Sequence, residues 1–129
     1  MIHIDDDMKV SNIRHDGIEE TINRRRDKSI HSKEYRLRRL LHSEDGPACI
    51  SYYESGLIQF EEYYKHGVLY RIDGPAIILY GEDGKIIRET YCLTPYLGTG
   101  KKGFWAFWDL LTEKEREHPN IVKLMVKYI

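Results

Sequence analysis

Cysteine is nearly absent. Cys49 and Cys92 are the only two in 129 residues, and neither belongs to a Cys-x-x-Cys pair. That excludes a disulfide framework and a thiolate zinc site, and sets the expectation of a reduced, cytoplasmic protein. Proline (four) and phenylalanine (three) are also scarce. No apolar run approaches the ~20 residues of a membrane-spanning helix, so no membrane association is expected. The opening residues, Met1-Ile2-His3-Ile4-Asp5-Asp6-Asp7, lack the basic-then-apolar plan of a signal peptide. The six histidines fall in no HxxxH or HExxH grouping, so surface roles are favoured over a zinc site and no metal or cofactor is expected.

What is present is charge, tyrosine and a repeat. The net charge is −1 but unevenly spread. Residues 9–40 carry ten Lys/Arg against five Asp/Glu, whereas residues 41–129 carry ten against thirteen. Ten tyrosines suit half-buried strand positions, where the ring packs and the hydroxyl stays wet.

Asp45-Gly46-Pro47-Ala48 returns 28 residues later as Asp73-Gly74-Pro75-Ala76, and eleven of the 21 positions from 45 to 65 match their partners. Such agreement marks a duplicated supersecondary unit that must stack on a neighbour. Proline, lacking an N–H, begins a strand in each unit. Ala48, Ile50 and Tyr52 then alternate on one face, as do Ala76, Ile78 and Tyr80. Gly56 and Gly84 supply the positive φ of a turn, and a strand returns. Ile58, Glu61 and Tyr63 do not keep one parity, which predicts a bulge or two partly covered faces. Residues 33–44 read as a degenerate half-repeat, with Tyr35 standing 28 before Tyr63. A strand is favoured there over a helix capped by Ser32.

Residues 1–32 form a weakly ordered segment or a hairpin, with Met8 to Arg14 and Ile18 to Ile22 joined at His15-Asp16-Gly17. From Phe104 the period changes. Phe104, Phe107, Trp108 and Leu111 share one helical face, Glu113 to Glu117 make its solvated end, and Pro119 opens a second helix. The expected fold is α+β: a single domain, 1–129, with an antiparallel β-meander of 28-residue repeats over 33–98 and a helical pair capping it over 99–129.

The Asp-Gly-Pro-Ala units, with Leu41-His42-Ser43-Glu44 and Leu69-Tyr70-Arg71-Ile72 leading into them, resemble divergent MORN-like repeat proteins of bacterial, phage and giant-virus origin. The likeness covers residues 41–93. It departs in its longer period and in lacking paired glycines. It implies a β-meander used for binding, with no catalytic residues to transfer, and roles such as interference with a host system or antitoxin-like neutralisation.

The candidate sites follow. Tyr35, Tyr63 and Tyr91 should stand in a line and form the partner-facing row, flanked by Glu61 and Glu89. Tyr52 and Tyr80 should lie beneath the helices. Trp105 falls off the buried helical face and is the candidate contact anchor. These residues imply a non-enzymatic protein that binds a larger protein, as adaptor or inhibitor. The alternative is nucleic-acid binding through Arg24, Arg25, Arg26, Arg36, Arg38 and Arg39. Gly98-Thr99-Gly100-Lys101-Lys102-Gly103 fails the phosphate-loop spacing and reads as a flexible lead into the helix. Asp5, Asp6 and Asp7 read as an acidic terminus rather than a cation site. Cys49 and Cys92 occupy positions that the other repeat fills with a hydrophobe or tyrosine, and read as packing residues.

Overall fold

The structure, a computed structural model, describes residues 2–6, 8–93 and 96–129. The chain runs through β1 (Ile2–Asp6), β2 (Lys9–Ile13), β3 (Ile18–Arg24), β4 (Ile30–Leu37), β5 (Leu40–Leu41), β6 (Cys49–Tyr52), β7 (Ile58–Glu62), β8 (Tyr64–Lys65), β9 (Val68–Leu69), β10 (Ile77–Tyr80), β11 (Ile86–Leu93) and β12 (Tyr96–Thr99). Three helices follow: α1 (Gly100–Leu110), α2 (Glu113–Arg116) and α3 (Pro119–Tyr128). The main sheet is an antiparallel meander in the order β1-β2-β3-β4-β6-β7-β10-β11-β12, with β5 paired to β4 and β8 to β9 alongside.

The repeat governs the register. In the second unit Cys49 pairs with Glu62, Ile50 with Glu61, Ser51 with Phe60 and, after a bulge, Tyr52 with Ile58. In the third, Ile77 pairs with Thr90, Ile78 with Glu89, Leu79 with Arg88 and, after the equivalent bulge, Tyr80 with Ile86. The mixed parity of the return strand is thus a bulge, placed identically in both units. The extra residue bends the strand and tightens its twist.

A first unit obeys the same rule. Thr21 pairs with Glu34, Ile22 with Lys33, Asn23 with Ser32 and, after a bulge, Arg24 with Ile30. All four pairs lie 28 before those of the second unit. The repeated sheet therefore begins at residue 21, not 33, and residues 33–44 are strand rather than helix. The three hairpin turns are superposable in their bonding. Arg25, Tyr53 and Gly81 each donate N–H to the carbonyl four residues on, and Lys28, Gly56 and Gly84 each donate back to those first residues. Asp27, Ser55 and Asp83 each accept the N–H two residues on. The position of positive φ is Gly56 (93°), Gly84 (83°) and, in the first unit, Lys28 (72°). The His15-Asp16-Gly17 hairpin uses the same turn, with Gly17 at 86°.

Neighbouring units are also tied at the turn end. Arg25 Nη2 donates to the Tyr52 carbonyl at 2.6 Å, and Tyr53 Oη donates to the Tyr80 carbonyl at 2.6 Å. The two donors stand 28 apart, so the same tie recurs with different chemistry.

The core lies at the C-terminal end. Phe104, Phe107 and Leu111 of the expected apolar face are buried with Ile121 and Tyr91. The chain leaves helical geometry at Leu111, and Glu113–Arg116 is a separate turn rather than the tail of α1. Thr112 explains the restart: its hydroxyl accepts from Glu115 N–H while the Glu115 carboxylate accepts from Thr112 N–H. Residues 98–103 are not a flexible lead. They form the end of β12 and the first turn of α1, and a Cβ on Gly103 would stand 2.4 Å from the Gly98 carbonyl carbon.

Because Lys28 holds a backbone conformation that favours glycine, Lys28→Gly should raise stability by up to about 1 kcal/mol, and Gly56→Ala or Gly84→Ala should lower it by about that much or more. Chemical denaturation midpoints of the three variants against the parent check the shared turn. A neutral or destabilising Lys28→Gly would remove it from the first unit.

Candidate functional site

One row of residues crosses the sheet from unit to unit. Glu20 pairs with Tyr35, and Tyr35 N–H donates to the Ala48 carbonyl at 2.8 Å. Tyr63 N–H donates to the Ala76 carbonyl at 2.8 Å, Ala76 donates to Thr90, and Tyr91 pairs with Gly98. Tyr35, Ala48, Tyr63, Ala76 and Tyr91 therefore lie on one face in one line, as the spacing predicts. Adjacent strands are about 4.8 Å apart, so successive tyrosines stand about 10 Å apart with an alanine floor between them. Ala48 and Ala76 are both fully buried. A larger residue there would fill the gap between rings.

Each tyrosine has a different cover. Tyr91 lies under α1, its ring centroid 5.6 Å from Phe104 and 5.0 Å from Phe107. Phe104 in turn stacks on Tyr128 of α3 at 5.3 Å. Glu89, 4 % exposed, accepts from Lys127 Nζ at 2.7 Å and from the Tyr128 hydroxyl, which fastens α3 to β11. Burial, with Glu89 beside it, pushes the Tyr128 phenol up to about 12.

Tyr63 is covered by an arginine of its own unit. The Arg71 guanidinium lies 3.9 Å over the ring. Arg71 Nε donates to Asp73 Oδ1 at 2.8 Å and Nη1 to the Pro75 carbonyl at 3.1 Å. On its other side Asp73 faces His118 Nε2 at 3.7 Å, which joins this loop to the start of α3. The guanidinium occupies the space above Gly74, where an added Cβ would stand 2.7 Å from Arg71 Cζ.

Tyr35 has no such cover. The residue equivalent to Arg71 is Ser43, and a Cβ added at Gly46 would meet nothing within 4 Å. A hollow of about 290 Å³ opens there, lined by Arg14, Tyr35, Ser43, Asp45, Pro47 and Ile50 together with Gly46. Burial, then the Glu20 carboxylate, raises the Tyr35 hydroxyl to about 12, so it stays a neutral donor at physiological pH. A second hollow of about 360 Å³ lies across the Asp45-Gly46 loop, bounded by Tyr63, Tyr70, Lys65 and Arg71.

The line of tyrosines forms, but its far end is not a free face. Tyr91 is fully buried and Glu89 nearly so, because the helices dock over this row rather than over Tyr52 and Tyr80. Those two tyrosines are half-buried beside the bulges, where Tyr80 donates to Glu61 Oε1 at 2.6 Å. Trp105 is not a free anchor either. Its Nε1 donates to the Tyr128 carbonyl at 3.2 Å, and its ring packs edge-on to Phe104 and Trp108. The part of the row without a lid is Tyr35, half-buried like Tyr63 and Glu61 but bordering an open hollow.

The basic residues do not make one patch. Arg24, Arg25 and Arg26 sit at the turn before β4, whereas Arg38 and Arg39 sit at the turn after it, at φ 50° and 72°. An eight-residue strand separates the groups by about 25 Å. Arg25 is used in the tie to Tyr52, and Arg36 pairs with Glu34 at 2.6 Å. Both thiols are raised by burial, Cys49 to about 11 with Glu62 and Glu34 adding to it. His42 and His66, far apart in sequence, meet with rings 4.3 Å apart. His42 Nδ1 accepts from His66 N–H, so its Nε2 carries the proton and faces Glu44 at 2.6 Å. Among the described residues no three His, Cys, Asp or Glu side chains converge on a metal-sized site. The cation reading of Asp5, Asp6 and Asp7 falls on side chains outside the described ones.

Graded covers should give graded costs. Phe107→Ala should destabilise by about 3–5 kcal/mol, as for a buried aromatic. Arg71→Ala should cost only about 1–2 kcal/mol for its stacking and charge-assisted bonds. Urea denaturation of the two variants checks the order; equal costs would mean that Arg71 is not a lid on an otherwise complete sheet.

No family model matches this sequence, and no curated protein or solved structure is significantly similar to it.

Proposed function

We propose that this chain is a non-enzymatic interaction protein, an adaptor or inhibitor that presents the Tyr35 end of the tyrosine row to a larger protein. The observation that carries the reading is the uncovered ring. Of three equivalent tyrosines, two are roofed by the chain itself, and the third stands over an open hollow with Ile50, Pro47 and Asp45 around it. Tyrosine gives a large contact area at low entropy cost, and acidic neighbours add selectivity. The likeness to MORN-like repeat proteins supports a binding role, with a phage or mobile-element factor acting on a host system as one setting and antitoxin-like neutralisation as another. The raised thiols and the engaged histidine pair also favour binding over nucleophilic catalysis. Nucleic-acid binding is the weaker reading, because the arginines are divided between opposite ends of β4.

Affinity capture on the immobilised protein from lysate of its native cell tests this. A stoichiometric protein partner should be retained by the parent chain and by Arg24→Glu/Arg26→Glu, and lost from Tyr35→Ala, whose unfolding should stay cooperative. Retention by Tyr35→Ala, or loss on reversing the two arginines, would move the site elsewhere.

A further inference from the structure

The protein contains its own picture of what the open hollow is shaped to hold. In the unit that follows, a guanidinium lies over the tyrosine ring, donates to an aspartate two residues beyond its own position, and donates to the carbonyl of the strand-opening proline. Every one of those receiving groups has a counterpart 28 residues earlier: Tyr35 for Tyr63, Asp45 for Asp73, Pro47 for Pro75 and Gly46 for Gly74. Only the arginine is missing, since Ser43 stands in its place. The Ser43 hydroxyl reaches Asp45 Oδ1 at 3.4 Å, beyond the usual length for a hydroxyl–carboxylate bond.

We propose that the hollow over Tyr35 binds the guanidinium of an arginine side chain supplied by the partner protein. The assignment rests on the interaction role proposed above and gives its contact a chemistry. The ring offers a π face, Asp45 a carboxylate and Pro47 a carbonyl, in the arrangement that already holds Arg71. A planar fork can stack and reach two acceptors at once. A lysine ammonium is a compact, strongly hydrated point charge and cannot. The charged groups around the hollow are Asp45, Glu20 and Arg14. Arg14 lines the hollow and is held by Asp16, to which it donates at 2.5 Å. Gly46, with open space above it, leaves room that Gly74 lacks.

The test is an amide-resolved NMR titration at fixed ionic strength with N-acetyl-arginine amide and N-acetyl-lysine amide. The arginine compound should give saturable shifts at Tyr35, Asp45 and Gly46, with affinity at least about tenfold above the lysine compound, the margin of one charge-assisted hydrogen bond. Asp45→Asn should weaken it by about tenfold. Ser43→Arg should recreate the neighbouring unit, raise the melting midpoint and abolish the shifts. Equal response to both compounds, no saturable response, or full binding by Ser43→Arg would overturn the assignment. Arg14→Ser should leave binding intact or strengthen it; loss of binding would show that Arg14 is part of the site and overturn the lid analogy. The titration needs no partner, so its failure is separable from failure of the interaction role. A captured partner that Asp45→Asn and Ser43→Arg leave undiminished would sink the arginine assignment alone.

Discussion

A sheet one layer thick must cover its apolar atoms without an opposing sheet, and that constraint shapes this protein. Among the described residues the strands beyond the main meander are only the two-residue β8 and β9, too short to form an opposing sheet over it. Burial is therefore partial, and most residues of β4, β6, β7 and β10 are half-buried. Among the tyrosines of the row full burial is reached at Tyr91, under the helices, and the alanines of the row leave the space that a lid enters. Hydrogen-bond register, repeated bulge for bulge, keeps those spaces aligned from unit to unit.

Two different lids and one position without a lid show how one backbone plan tolerates different chemistry. Phe104 and Phe107 exclude water from Tyr91 and anchor two helices. Arg71 covers Tyr63 with a charge that Asp73 neutralises. Serine at the equivalent position 28 residues earlier, Ser43, reaches only Asp45, at 3.4 Å, and leaves the Tyr35 ring without a lid. The repeats thus differ in their surface more than in their backbone, because shared residues hold the strands together and divergent ones decide which positions are covered from within.

Much of the architecture could be read from the residues. The Asp-Gly-Pro-Ala pair, the turn glycines and the alternation of 48, 50 and 52 specify strands, turns and offset, and the 104–111 pattern specifies α1. The first unit was hidden for two physical reasons. Lys28 fills a position where glycine is the usual signal, and no Asp-Gly-Pro precedes Thr21. Backbone bonding, which is indifferent to side-chain identity, preserved the unit where sequence did not. The tyrosine line was legible because it follows from the period alone. Which end of it is open was not. The helices come from residues far along the chain, and their docking is decided by Glu89, Lys127 and Tyr128, whose meeting no local pattern announces. Position 105 misled for a similar reason. Off the main face of α1, it is turned not to solvent but toward α3, and only the path of the chain after Pro119 supplies that neighbour.

The placement of the buried aromatic cluster also bears on the order of events during synthesis. Its members run from Tyr91 to Tyr128, so every one of them leaves the ribosome after the first two repeats have emerged. Those repeats make contacts mainly with adjacent strands, of low sequence separation, and such contacts form fast but hold weakly alone. The nascent meander can therefore form and dissolve many times. It becomes a lasting structure only when α3 stacks on Phe104, so that commitment to the native state waits for residues 119–128 to be made rather than accumulating strand by strand.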